Sequence, residues 1–387
     1  MTGDEDSERA SATAQYGARH SFSGGPVGDV SEPSSPEKLI LAPSRAQAPS
    51  RDTTGPRDAY GRVIDYLRIS VTDRCNLRCV YCMPLSKADH AERPEVLTAT
   101  EIEEVVRAAA SIGFRKFRLT GGEPTLRADI VDIVRRIASV PGVQDVAMTT
   151  NAIRLVDLAR PLAEAGLRRV NVHLDSLSAK TLPQVMRLGS VDRLWDGILA
   201  AEAAGLTPIK MNVVPVKGMN DGEVADLARL TIERDWHVRF VELMPLGAGD
   251  ESRLSVTHFV SNVETRRRIE AALGALTPFA SPNPSDESEN FRLPGAAGVV
   301  GFISPVSRPY CGSCNRMRLT ADGRFHLCLL HDDELDVRAA LRAGGSAEGR
   351  RERVRGILLR AVAAKPTGHR LDAGRHTRGR RMHEIGG

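Results

Sequence analysis

Val63-Ile-Asp-Tyr-Leu-Arg-Ile-Ser-Val71-Thr-Asp-Arg-Cys75-Asn-Leu-Arg-Cys79-Val-Tyr-Cys82 joins an apolar run to a loop with three thiols. The run over 63–71 predicts a β-strand. Three thiolates are one short of the four ligands that close a tetrahedral zinc site. They suit three irons of a four-iron cluster, which normally takes four cysteines. The remaining iron is then open to a substrate or cofactor. A zinc site with a distant fourth ligand, or plain buried cysteines, are the alternatives.

Downstream of this loop the pattern alternates. Thr98-Ala-Thr-Glu101 has the spacing of a capping box, and Ile102, Val105, Val106 and Ala109 follow at helical period. Strands are predicted over 114–119, 143–148, 168–174, 208–214 and 238–243. Helices are predicted over 128–138, 156–165, 191–204 and 223–233. No two-residue hairpin turn joins neighbouring strands. Such alternation predicts an α/β fold with a parallel sheet covered by helices. A full eight-unit barrel takes about 250 residues, so six units predict an incomplete, laterally open (βα)6 TIM-like barrel. An open doubly wound sheet is the alternative.

The rest of the chain falls around that barrel. Residues 1–56, rich in Ser, Pro, Gly and Ala without apolar periodicity, predict a disordered N-terminal extension. Residues 57–280 form the predicted barrel, with a helix over 255–275 leaving it. Residues 281–387 form a predicted C-terminal module: a polar loop over 281–290, short strands over 291–330, helices over 336–343 and 350–363, and a basic, Gly-rich end. The net charge of +4 on 387 residues is too mild to indicate nucleic acid. No window of about 18 apolar residues predicts a membrane span, and no apolar leader predicts secretion. A cytoplasmic protein is expected. The six cysteines fall into two triads, 75/79/82 and 311/314/328, which in that compartment predict metal sites rather than disulfides.

In a parallel barrel, reactive groups sit at the C-terminal ends of strands. The Cys75 loop, Thr120-Gly-Gly-Glu-Pro124, Thr149-Thr-Asn151, His173-Leu-Asp-Ser176 and Glu242-Leu-Met244 each follow or end a predicted strand, and Lys210 and Asn212 lie on another. All are therefore expected on one rim. Gly121-Gly122 permits close backbone approach to a ligand. Arg68, Lys116, Arg118 and Lys210 together point to an anionic, phosphorylated substrate, because guanidinium groups match phosphate geometry. The second triad, Cys311-Gly-Ser-Cys314 and Cys328, is also one ligand short, and His326 is a candidate to complete a zinc site. Arg316 and Arg318 alternate on a predicted strand, so both point to one face beside this centre and suit a polyphosphate.

Cys-x3-Cys-x2-Cys followed by Gly121-Gly-Glu-Pro124 resembles the radical S-adenosylmethionine superfamily. The strings from Gly61 to Pro84, from Cys314 to Gly323, and Ile385-Gly-Gly387 resemble one family within it, the GTP 3′,8-cyclases. The resemblance covers the chain from residue 57 to its end. It implies a first [4Fe–4S] cluster on Cys75, Cys79 and Cys82, with S-adenosyl-L-methionine on its open iron and Tyr81, Gly122, His173 and Met244 around that cofactor. It implies a second [4Fe–4S] cluster on Cys311, Cys314 and Cys328, facing the guanine of GTP. Arg68, Arg118, Thr149, Lys210, Arg316 and Arg318 match positions that bind GTP. Gly386 and Gly387 match a catalytic tail that reaches into the active site. The implied reaction uses a 5′-deoxyadenosyl radical to take hydrogen from C3′ of the ribose. The C3′ radical adds to C8, giving (8S)-3′,8-cyclo-7,8-dihydroguanosine 5′-triphosphate in molybdenum cofactor biosynthesis. The implied partners are a low-potential electron donor and a downstream cyclic pyranopterin monophosphate synthase, with the chain a monomer or homodimer.

Two positions depart from that family. Ala152 stands where Gly is usual after Thr-Thr-Asn, and His173 where Ser is usual. Two other readings stand beside the resemblance: a radical S-adenosylmethionine enzyme with an auxiliary cluster acting on a peptide, and a non-catalytic zinc-binding scaffold protein.

Overall fold

The computed structural model describes residues 55–83, 96–247, 249–281, 283, 285–371, 374 and 376–386. The predicted extension therefore lies outside the described residues except for Gly55 and Pro56, and Gly387 lies outside them too. Six strands alternate with helices: β1 (Tyr66–Ser70), α1 (Ala99–Ser111), β2 (Lys116–Thr120), α2 (Ile130–Ala138), β3 (Asp145–Thr150), α3 (Leu155–Glu164), β4 (Arg169–His173), α4 (Val191–Ala203), β5 (Lys210–Val213), α5 (Val224–Glu233) and β6 (His237–Val241). Neighbours pair in parallel and in chain order. A doubly wound sheet reverses its order at a switch point. This one does not, so the barrel reading holds.

Alternation along each strand gives the sheet two different faces. Leu67, Ile69, Phe117, Leu119, Val146, Met148, Val170, Val172, Met211, Val213, Val238 and Phe240 are buried on one face. The helices meet that face with their own apolar stripes, such as Ile102, Val105, Val106 and Ala109 of α1. Full burial of each such side chain contributes about 1.5–3 kcal/mol. The opposite parity is polar: Arg68 pairs with Arg118, Thr149 with Asn171, and Asn171 with Lys210 in register. A closed eight-fold barrel fills its interior with branched apolar side chains. Here the interior is polar and charged.

The capping box is present. Thr98 Oγ1 accepts from Glu101 N at 3.2 Å, and Glu101 Oε2 accepts from Thr98 N at 2.8 Å. The predicted helix over 255–275 is instead two helices, α6 (Asp250–Thr257) and α7 (Asn262–Leu273). Ser261 starts the second by accepting from Glu264 N at 3.2 Å. The Asn262 amide donates to Phe240 O at 3.3 Å and Ile303 O at 2.9 Å, which fixes the break against the sheet.

The segment after α7 extends the same sheet on both edges. It contributes β7 (Thr277–Pro278), β8 (Glu289–Arg292), β9 (Val299–Ile303), β10 (Arg316–Leu319), β11 (Arg324–His326) and β12 (Glu334–Asp336), then helices α8 (Ala347–Ala363) and α9 (Met382–Ile385). β9 joins β6 in parallel, and β10 joins β1 in parallel. Eight parallel strands thus run in a row, with antiparallel strands beyond each end. The residues read as a polar loop over 281–290 end in a strand, because Phe291 pairs with Val300 and stacks edge-on against Phe302.

Ala152 occupies a left-handed conformation, φ 67°, and is fully buried. That conformation costs a non-glycine residue about 1–2 kcal/mol. Burying the methyl returns about 0.8 kcal/mol, and removing glycine's excess chain entropy returns about 0.5–1 kcal/mol. The terms nearly cancel, so Ala152→Gly is expected to move stability by less than about 1 kcal/mol. Gly197 of α4 is the intolerant partner. A Cβ there would lie 2.0 Å from Ala152 O. Gly197→Ala is expected to cost roughly 3 kcal/mol in urea unfolding.

Candidate active site

The clusters after β1, β2, β3, β4 and β6 are found at the C-terminal ends of their strands. Lys210 is not on that rim: it is the first residue of β5, level with His237 at the start of β6, because β5 begins there rather than at residue 208. The Gly-Gly turn works differently from its reading. A Cβ on Gly121 would lie 2.1 Å from Thr72 O, and one on Gly122 would lie 2.2 Å from Arg74 O. The missing Cβ atoms admit the backbone of the Cys75 loop. Gly122 N donates to Thr72 O at 2.8 Å, and Glu123 N to Arg74 O at 2.7 Å. Glu123 then ties this turn to β3, accepting from Thr150 Oγ1 at 2.7 Å and Asn151 N at 2.7 Å. Glu242 does the same at β6, accepting from Asn262 N at 3.0 Å and Ser307 N at 2.8 Å.

All six cysteines are free thiols. Cys79 is buried, and burial pushes the thiols of Cys75 and Cys79 up to about 11. They become thiolate ligands only with a metal present to replace the protons. Tyr81 and His173 meet beside them: His173 Nε2 lies 2.5 Å from Tyr81 Oη and 2.9 Å from Asp175 Oδ2. Burial works against the His173 imidazolium, but Asp175 and Cys79 outweigh it and hold the ring well above its usual value. Asp175 is fully buried and also accepts from Val214 N at 2.8 Å.

The second triad lies at the other end of the same strand pair. Cys75 follows the C-terminal end of β1, whereas Cys314 precedes the N-terminal end of β10, and Tyr66 of β1 is level with Arg316 of β10. Four residues of strand, about 13 Å at 3.3 Å each, separate the two levels. A cavity open to solvent is lined by Cys311, Cys314, Cys328, Arg68, Arg316 and Arg318, with Met244 and Lys365 at its wall. Lys365 Nζ donates to Leu327 O at 2.9 Å. Burial opposes ionisation of Cys314, yet Lys365 and Arg316 outweigh it and bring the thiol down to about 6. Arg62 pins this region, donating to Cys311 O at 2.8 Å and Pro366 O at 2.5 Å.

Among the described residues, Cys79, His173 and Asp175 are the trio whose ligand atoms lie within 4.8 Å of one another; neither cysteine triad is drawn that close. Zinc–sulfur bonds of about 2.3 Å would require it. The triads therefore fit a larger group such as a four-iron cluster. Among the described residues His326 does not complete a zinc site, since its ring nitrogens and two of the cysteine sulfurs do not all come within 4.8 Å of one another. Its Nδ1 faces Glu334 Oε1 at 3.1 Å.

Between the triads the lumen is strongly cationic. Arg68 and Arg118 lie over the Tyr66 ring at 5.7 and 5.4 Å, and Arg316 over Tyr310 at 4.9 Å. Arg318 donates to Gly386 O. Burial, with Arg68 and Arg316 adding to it, pushes Arg318 down to about 9; burial also takes Arg118 to about 10. Both stay charged at neutral pH. Lys116 is drawn aside, 3.8 Å from Asp65 Oδ2. Thr149 faces the lumen beside Asn171.

Three lumen residues escaped the sequence reading. Arg239 donates to Asn212 Oδ1 at 2.8 Å. The Asn171 amide oxygen, turned toward the cations, accepts from Arg118 and Arg239 at 2.6 Å each. Both residues stand at inward parity in His237-Val-Arg-Phe-Val241 and Arg169-Val-Asn-Val-His173, the alternation read for Arg316 and Arg318. Glu287 has no such signal. Its Oε2 accepts from Arg316 at 2.8 Å, and its Oε1 lies 3.4 Å from Arg68 and 3.8 Å from Arg239. Burial alone would raise this carboxyl, but Arg316, Arg68, Arg239 and Arg118 hold it well below the carboxylate range.

Lys210 makes the site pH-dependent. Burial first, then Arg239, pushes its ammonium down to about 8. The cation is therefore present below that pH and lost above it. Anion affinity, measured as the dissociation constant of inorganic tripolyphosphate, is expected to weaken as pH rises through about 8. Lys210→Arg should remove that step.

Residues 69–231 match the model of the Radical SAM superfamily, and residues 236–371 match that of Molybdenum Cofactor Synthesis C. The GTP 3′,8-cyclase of Pelotomaculum thermopropionicum is 46% identical over 86% of this chain and 100% of its own length. That of Moorella thermoacetica is 44% identical over the same shares. Among solved structures, Streptococcus suis SuiB bound to S-adenosylmethionine has a TM-score of 0.54 at 16% identity, covering 71% of this chain and 63% of that one. At that identity the likeness is one of fold. No helix of the described residues is long and apolar enough to cross a membrane. With inward-facing cations running from one cysteine triad to the other, and relatives that align over their whole length, the chain belongs to the GTP 3′,8-cyclase family of radical S-adenosylmethionine enzymes.

Proposed function

We propose that this protein converts GTP to (8S)-3′,8-cyclo-7,8-dihydroguanosine 5′-triphosphate, the first step of molybdenum cofactor biosynthesis. The observation that carries the reading is the cationic lumen between two incomplete cysteine triads. Cys75, Cys79 and Cys82 hold one [4Fe–4S] cluster, and Cys311, Cys314 and Cys328 hold the other. When bound, the first cluster and S-adenosyl-L-methionine supply a 5′-deoxyadenosyl radical. The chain's own contribution is placement. Arg68, Arg118, Arg316, Arg318 and Lys210 hold the triphosphate, and Thr149 lies along the same wall. Guanidinium nitrogens still lacking a partner, Arg68 Nε, Arg118 Nε and Arg316 Nη2, are buried there. Phosphate oxygens satisfy such donors with charge-assisted bonds. A fixed triphosphate sets the ribose at one depth in the lumen, which is a proximity effect.

Tyr81, His173, Gly122 and Met244 surround the cofactor in this reading. Gly386, held by Arg318, stands at the mouth of the lumen. Gly386 has φ 86°, and a Cβ on it would lie 2.6 Å from Thr120 Cγ2. Seated there, it excludes water from a site where a primary carbon radical must meet one target. The reading also calls for a low-potential one-electron donor, a cyclic pyranopterin monophosphate synthase to take the product, and a place in the cytoplasm.

The test is anaerobic incubation of reconstituted protein with GTP, S-adenosyl-L-methionine and dithionite. 5′-Deoxyadenosine and an acid-convertible pterin precursor are expected in equal amounts. If neither forms, the assignment fails.

A further inference from the structure

Glu287 is a carboxylate where the proposed function needs a phosphate. It does not belong to the barrel. It sits on the turn before β8, where Asp286 Oδ2 accepts from Ser281 Oγ at 2.7 Å and from Asn290 Nδ2 at 3.0 Å. The turn reaches over the lumen because β9 offers no side chain at Gly301: a Cβ there would lie 2.3 Å from Ser288 Oγ. From that turn the Glu287 carboxylate enters among Arg68, Arg239 and Arg316, with its side chain 11% exposed.

The fit is incomplete. One contact, to Arg316 at 2.8 Å, has the length of a charge-assisted hydrogen bond; those to Arg68 at 3.4 Å and Arg239 at 3.8 Å do not. Two carboxylate oxygens also leave Arg68 Nε, Arg118 Nε and Arg316 Nη2 buried without acceptors. Buried orphan donors are costly. A group with more oxygens and more charge satisfies this set better than Glu287 does.

We propose that Glu287 is a built-in competitor for the substrate's phosphates, an affinity- and specificity-determining residue that keeps the lumen cations paired until a polyphosphate displaces it. This rests on the reading that the lumen is the GTP site. Two anions cannot share the space between the same guanidinium groups. Any phosphate entering there must move the carboxylate out, so apparent affinity is the intrinsic affinity multiplied by the fraction of molecules with Glu287 withdrawn. A single phosphate exchanges one anion for another. A triphosphate also reaches the orphan donors and Lys210, which favours the longer phosphate chain. An uncharged nucleoside neither displaces the carboxylate nor gains from its removal.

The experiment measures binding of GTP, inorganic tripolyphosphate and guanosine to the reconstituted holoenzyme under anaerobic conditions. Glu287→Gln is expected to bind GTP and tripolyphosphate about tenfold more tightly, the gain for a withdrawn state populated to about 10%, with guanosine unchanged. The ligand-free variant should melt at a lower temperature than the wild type, and tripolyphosphate should raise its melting point by more. Unchanged or weaker tripolyphosphate binding overturns the proposal, since it would mean that Glu287 aligns the arginines. Glu287→Asp keeps the charge on a side chain one methylene shorter and guards against a variant that fails to fold. It should show a smaller gain in the same direction, and no gain overturns the proposal. Failure of the wild type to bind GTP counts against the proposed function alone, because the tripolyphosphate comparison still decides the role of Glu287.

Discussion

Cys75→Ala is expected to lower the iron of the anaerobically reconstituted protein from about eight atoms per chain to about four. It should also abolish formation of 5′-deoxyadenosine. Cys75, Cys79 and Cys82 lie on one loop, and a four-iron cluster held by two thiolates has lost half the ligands it normally takes. The second triad is independent, standing at the opposite end of the β1–β10 pair. Half the iron should therefore remain. The lumen cations lie on strands, so GTP should still bind with near-wild-type affinity. An unchanged iron content, or residual cofactor cleavage above background, would show that Cys75 is no cluster ligand.

Arg318→Ala should reduce turnover of GTP by roughly 10²- to 10³-fold with iron content unchanged. Two losses combine. The variant removes a cation from the lumen, which raises the KM. It also removes the donor that holds Gly386 O, which lowers kcat by loosening the tail. Gly386→Ala separates them. Its Cβ would collide with Thr120 Cγ2 at 2.6 Å and stand 3.3 Å from Ser70 Cβ, so the tail cannot seat, yet every cation is retained. It should lower kcat and leave KM near the wild-type value. Normal turnover by Gly386→Ala would remove the tail from the mechanism. Normal GTP affinity in Arg318→Ala would move the phosphate site away from β10.

The barrel was legible because its period is local. Each of β1 to β6 alternates apolar with polar residues, all but β5 run into a polar cluster, and each lies beside its neighbour in sequence. The cysteine triads were legible for the same reason, since their spacing lies within a few residues. The flanking strands were not. β9 joins β6, and β10 joins β1 from the far end of the chain; no local period records such a partner. The break between α6 and α7 depends on Asn262 reaching carbonyls of β6 and β9, a contact invisible before the sheet is assembled. Gly121-Gly122 announced a close approach, but sequence could not say that the approaching group is the Cys75 loop. Arg239 and Asn171 were readable by parity and were overlooked. Glu287 was unreadable, because it is one of three acids in a polar turn, Asp286, Glu287 and Glu289, and such acids normally face water.

The parallel pairing of β1 with β10 makes the gap between the two metal centres a graduated scale. Arg68 is level with Arg318, and Tyr66 with Arg316. A slip of β10 by one residue would turn Arg316 and Arg318 away from the lumen. Only slips of two residues, about 6.6 Å, keep them facing inward. The reach from one centre to the other therefore cannot be tuned smoothly by substitution. A substrate much longer or shorter than the present one needs a whole graduation, and small misfits must be absorbed by side chains such as Glu287 that are not part of the scale.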